Sequence, residues 1–154
     1  MTDDTVDRNK LLIPALGGIY ERLSPFSYAF MRFSAGAVLV PHGVQKIMGD
    51  WATTRGIKNI TEVGLPFPEI LAYLTVFSES IVAVCLAIGL FTRLAAVIIW
   101  IQMLVIITMF QWKFGYFWTN RGIEFALLWW LLVTAIFFRG GGRYSIDHLL
   151  KKEF

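Results

Sequence analysis

Of 154 residues, 56% are hydrophobic and only 16% charged, against about 25% charged in ordinary soluble domains. The mean hydropathy is +0.61 and the apolar residues gather into long runs, which predicts a small polytopic membrane protein and excludes a soluble enzyme, a disordered tail, a disulfide scaffold or a nucleic-acid-binding domain. The net charge of +3 reads as a topology signal, with no nucleic-acid partner.

The first ten residues are polar and acidic (Asp3, Asp4, Asp7), unlike a cleavable signal peptide, so the internal helices are expected to drive insertion. Residues 1–25 form an N-terminal segment in which Leu12, Leu16, Ile19 and Leu23 recur at helical spacing, predicting a short interfacial helix over 11–25. Span one covers 26–47 and carries Arg32, Pro41, His42 and Lys46. Residues 48–68 read as a loop holding a short surface helix, with Ile57, Ile60 and Val63 on one edge. Span two covers 69–91, with Glu79 near its middle, and the tight turn at Thr92-Arg93 makes it the antiparallel neighbour of span three, 94–112, which contains Gln102. An aromatic loop from Lys113 leads to span four, 121–139, with Glu124 at its start. Residues 140–154 form a polar tail. The expected fold is all-α: a four-transmembrane-helix bundle with short amphipathic interfacial helices.

Four spans put both termini on one side. That side and the second turn hold Arg8, Lys10, Arg22, Arg93, Arg139, Arg143, Lys151 and Lys152, while the other holds Lys46, Arg55, Lys58, Lys113 and Arg121. The excess predicts cytoplasmic termini. Trp51, Trp112 and Trp118 are expected in an outer aromatic belt, and Trp100, Trp129 and Trp130 between helices or facing lipid.

Among the charged residues only Arg32, Glu79 and Glu124 fall inside spans, with Lys46 at an edge. A charge near the bilayer centre costs several kcal/mol, so each needs a partner, a proton or a wet cavity. At 100° per residue Arg32, His42 and Lys46 share one side of span one, which permits a polar cluster of Arg32, His42, Lys46, Glu79, Gln102 and Glu124. Glu79 has two readings, as a structural ion pair with Arg32 or as a carboxyl that serves a small polar headgroup such as a quinone carbonyl. Lys46 is expected to snorkel and His42 to be interfacial. In the tail, Arg143 and Asp147 stand at pairing distance on a helix, suggesting a surface docking element. Cys85 is the sole cysteine and reads as a small buried hydrophobe. No catalytic motif, metal-ligand spacing, paired haem histidines or dinucleotide loop is present.

At these positions the sequence resembles the DoxX family of small four-helix membrane proteins. The resemblance is carried by Arg32, His42-Gly43, Lys46, Gly64-Leu65-Pro66 with Pro68, Glu79, Gly89-Leu90-Phe91-Thr92-Arg93-Leu94-Ala95, Gly122 with Glu124, and Gly142-Arg143-Tyr144-Ser145-Ile146-Asp147. Two places depart from the family pattern: a glycine pair is replaced by Arg121-Gly122, and Gly-Pro-Gly by Gly140-Gly141-Gly142. The resemblance implies a bacterial or archaeal inner-membrane protein associated with membrane redox, similar to the membrane subunits of a thiosulfate:quinone oxidoreductase. Two functions follow as expectations: an oxidoreductase subunit that binds quinone at the polar cluster, or a non-catalytic accessory subunit packed against a larger membrane complex.

Overall fold

In the computed structural model, which describes Asp7 and residues 10–152, helices dominate and no strand occurs among the described residues. A short 3-10 turn, Pro14–Leu16, leads directly into α1, Gly17–Ala37. There is therefore no separate interfacial helix over 11–25. Nothing between Gly17 and Ala37 stops a helix; Pro25 removes one hydrogen bond, a loss that neighbours in a bundle compensate.

Span one is instead interrupted further on. Pro41 has no N–H to offer the Ala37 carbonyl, so α1 ends and α2, Val40–Met48, restarts with the proline in its first turn. Next come a wide π-helical turn, Trp51–Arg55, and the short α3, Gly56–Glu62. The second span, Pro68–Ile88, is built from α4 (Pro68–Phe77), a π-helical turn over Ser78–Val82, and α5 (Ala83–Ile88). The third, Thr92–Phe114, is α6 (Thr92–Val105) extended by a π-helical turn over Ile106–Gln111. These two stretches are each long and apolar enough to cross a membrane. The fourth, α7, runs from Glu124 to Arg139, about 24 Å by its rise, and α8 (Ile146–Leu150) closes the chain.

Small residues set the helix spacing. A Cβ on Gly36 would stand 2.4 Å from the Ala83 carbonyl oxygen, and one on Gly43 2.5 Å from that of Glu79, so α1 lies against α5, and α2 against the π-helical turn, at backbone contact. Leu86, Ile99, Val133 and Ile136 fill the centre, while large apolar side chains such as Phe30, Leu128 and Phe138 face outward, as lipid rather than water requires. Trp100 and Trp129 lie between helices: the Trp100 indole donates to Thr134 Oγ1 (3.0 Å), joining α6 to α7, and that of Trp129 to the Ala35 carbonyl (3.0 Å), joining α7 to α1. The Trp130 ring packs against that of Trp100 at a tilt of 34°, with centroids 5.1 Å apart.

The turn between α5 and α6 is clamped by charges from outside it. Arg32 Nη1 donates to the carbonyls of Leu86 (2.8 Å) and Ala87 (2.7 Å), and Nη2 to that of Tyr144 (2.7 Å). Asp147 accepts from the backbone N–H of Phe91 (2.7 Å) and Thr92 (2.8 Å) and from the Thr92 hydroxyl (2.6 Å). A cation thus ends one helix and a carboxylate begins the next, which satisfies orphan backbone groups and both helix dipoles. Gly89 makes the turn at φ +72°, and a Cβ there would come within 2.5 Å of Arg32 Nη1. The two stretches read as separate motifs, 89–95 and 142–147, are one structural unit.

The tail is therefore part of the bundle, which corrects the expectation of a surface docking element with an Arg143–Asp147 pair. Asp147 is buried on the turn, and the Arg143 guanidinium lies 5.7 Å from the Tyr144 ring. Replacing Asp147 by alanine strands buried donors and is expected to cost about 1–3 kcal/mol, whereas Arg143→Ala should cost less than about 0.5 kcal/mol. Thermal unfolding in detergent measures both; equal losses would contradict the clamp.

Candidate functional site

About 11 Å along span two from that clamp by helix rise, a second polar group is assembled by three helices. The π-helical turn over Ser78–Val82 interrupts span two where Glu79 falls, a local widening that recurs at functional positions. Close contact at Gly43 brings the last turn of α2 alongside, so that Lys46 Nζ donates to Glu79 Oε2. From α6, Gln102 Nε2 donates to Glu79 Oε1 at 2.7 Å. Glu79 is thereby buried with both carboxylate oxygens partnered. A carboxylate only accepts, so Gln102 must present its NH2 to it, and its own Oε1 is left over as an acceptor.

Trp51 completes the group. Its ring lies 5.0 Å from Lys46 Nζ, within the range of a cation–π contact. Gly56 makes room for the indole, since a Cβ there would fall 2.7 Å from Trp51 Nε1. Three buried polar atoms in this region have no hydrogen-bond partner: Trp51 Nε1, Ser78 Oγ and Gln102 Oε1. All three residues, with Lys46 and Glu79, line one cavity of about 520 Å³. Its remaining walls are apolar, supplied by Leu71, Leu74, Ile98, Ile101, Val105 and Phe110 among others, with Ile60 of α3 also bordering it. A mostly apolar cavity of this size with a few convergent polar groups is the usual form of a small-molecule site.

Of the six residues expected to cluster, the structure brings together Lys46, Glu79 and Gln102. Arg32 does not join them. It sits beside Leu86 and Ala87, about 11 Å further along span two than Glu79 by helix rise, because the longer α1 packs this part of its length on α5. The expected Arg32–Glu79 pair is replaced by Lys46–Glu79, and Lys46 turns inward instead of snorkelling. His42 is exposed on the outside of α2; the break before Val40 resets the helical phase, so an angle counted continuously from Arg32 does not hold. Glu124 Oε2 accepts the Trp118 backbone N–H at 3.0 Å and fastens the aromatic loop.

Trp51 and Ser78 were not among the expected site residues. Trp51 had the composition of a belt residue, as Trp112 and Trp118 indeed are exposed, and only the tertiary packing at Gly56 turns it inward. For Ser78 a signal exists: Ser78-Glu79-Ser80 is a polar triplet inside an apolar run. Among the described residues no group of three or more His, Cys, Asp or Glu side chains could hold a metal ion.

The sequence model of the DoxX family matches residues 27–112, more than half of the chain and a stretch that includes every residue of this cavity. No curated protein and no solved structure matches the chain.

Removing one partner of the ion pair leaves a buried charge. Glu79→Leu alone is expected to destabilise by about 3–5 kcal/mol, and Lys46→Met combined with it to recover much of that loss. Arg32→Met with Glu79→Leu should be additive, as for sites without shared partners. Unfolding midpoints of the three sets decide; coupling of Glu79 to Arg32 but not to Lys46 would refute the arrangement.

Proposed function

This chain belongs to the DoxX family of multi-span membrane proteins, and on that premise we propose that it is a membrane subunit of a quinone-linked redox system whose quinone headgroup binds in the cavity beside Glu79. The observation that carries this reading is the set of unpartnered groups at the polar end of an apolar cavity. Trp51 Nε1 and Ser78 Oγ are buried donors without acceptors, and a quinone carbonyl is an acceptor without a proton. Burying such donors unpaired costs about 1–3 kcal/mol each, a cost that a bound carbonyl removes. The flat ring fits between aliphatic walls, and an isoprenoid tail has the lipid-facing side of the bundle to follow.

The bound quinone would supply the redox chemistry. This chain's residues hold and orient it: Trp51 and Ser78 donate to its oxygens, Gln102 Oε1 accepts from a hydroxyl, and Lys46 sets the local potential positive while Glu79 balances it. Electrons would be exchanged with a partner subunit, and the basic residues favour a cytoplasmic-membrane location with both termini inside the cell. A second reading, the accessory subunit, has its own support in the Lys46–Glu79 ion pair, which is complete without a ligand.

Gentle purification in native lipid followed by solvent extraction separates the two. The wild-type chain is expected to retain about one quinone, and Trp51→Phe with Ser78→Ala, which removes both unpartnered donors and keeps an aromatic ring at position 51, to lower its affinity about tenfold or more. Wild-type protein free of quinone but copurifying with a larger complex would favour the accessory reading.

A further inference from the structure

We propose that a second pocket, beneath the aromatic loop, binds the phosphate headgroup of an anionic phospholipid with free hydroxyls, such as phosphatidylglycerol. This site is independent of the quinone reading. The pocket has a volume of about 390 Å³ and is lined by Asn59, Glu62, Gln111, Lys113, Phe114 and Arg121, among others.

Its charge is unbalanced. The Lys113 ammonium and the Arg121 guanidinium lie 5.2 Å and 5.1 Å from the centre of the Phe114 ring, and both residues line the pocket. Glu62, the one carboxylate lining the pocket, already faces Lys58 at 3.9 Å. An anion bound in the pocket would balance its surplus of positive charge. Gln111 Oε1 is buried and has no partner, which suits a headgroup hydroxyl.

Arg121 is also held where it is against its backbone preference. It adopts φ +65°, the left-handed region in which a side chain is crowded and glycine is not. The loop is stitched around it by Ile123 N–H to the Gly115 carbonyl (3.0 Å) and Glu124 N–H to that of Tyr116 (3.0 Å), so the backbone that carries the Arg121 side chain is fixed. Glycine would serve the turn better; arginine serves a ligand. Trp112, Phe117 and Trp118, all exposed in or next to the aromatic loop that supplies Lys113 and Arg121, are of the residue types that settle at headgroup level. That placement favours a lipid over a soluble phosphate ester as the source of the anion.

The test is native mass spectrometry of the full chain released from nanodiscs of equal phosphatidylglycerol and phosphatidylcholine, with and without added glycerol phosphate. One phosphatidylglycerol per chain is expected in preference to phosphatidylcholine. Lys113→Gln and Arg121→Gly should each reduce its retention roughly fivefold, at about one charge contact apiece. Because Arg121→Gly relieves backbone strain, its melting temperature should equal or exceed the wild type's, so that lost binding is not lost folding. Equal retention of the two lipids, a lowered melting temperature for Arg121→Gly, or displacement of the lipid by glycerol phosphate would overturn the proposal.

Discussion

Hydrocarbon does not solvate charge, and an ionised side chain deep in a bilayer must find its counter-charge or hydrogen bonds within the protein. The helices of this bundle are arranged by that requirement. Arg32 is answered by three backbone carbonyls, two of them at the end of α5, and Glu79 by Lys46 and Gln102. Satisfying Glu79 demands that α2 lie directly against the π-helical turn, and glycine at position 43 is what permits it. Satisfying Arg32 draws the tail onto the α5–α6 turn, where Asp147 supplies the matching negative charge.

The two polar groups differ in kind. At the turn the charges are spent mostly on backbone, the guanidinium on three carbonyls and the carboxylate on two N–H groups and the Thr92 hydroxyl, with Arg32 Nε left over. Around Glu79 the charges answer each other, while Trp51, Ser78 and Gln102 keep hydrogen-bonding capacity directed at no protein atom. These three atoms border one cavity, which is what supports the proposed headgroup site. The cavity beside it, continuous with apolar walls from α4 and α6, is of a size to hold such a ligand.

Much of this was legible in the sequence. Run lengths and the tight Thr92-Arg93 turn give the helical bundle and the antiparallel pairing of its second and third spans, and the rarity of polar residues inside them singles out a set of six that contains Glu79, Lys46 and Gln102 together with Arg32, His42 and Glu124. The partner of Glu79 was not legible. Heights counted along ideal helices put Arg32 within reach, but they assume that spans begin where hydrophobicity begins and that α1 continues unbroken past Val38. Pro41 breaks it, shifting Lys46 inward and His42 outward. Asp147 was misread for a related reason: its spacing from Arg143 suggests a local pair, and only long-range folding reveals the N-terminus of α6 as the better partner. Trp51 shows the same limit, since neither its position nor its flanks in sequence disclose the space that Gly56 leaves for it.

The account's central claim is that Glu79 and Lys46 form a buried ion pair within the bundle. Infrared spectroscopy of the reconstituted protein with isotopically labelled glutamate, differenced against Glu79→Gln, reports that state directly. A carboxylate band that is absent from Glu79→Gln and displaced in Lys46→Met is expected. A carboxylic-acid band already present in the wild type at neutral pH, unchanged by loss of Lys46, would contradict the ion pair and the site built on it.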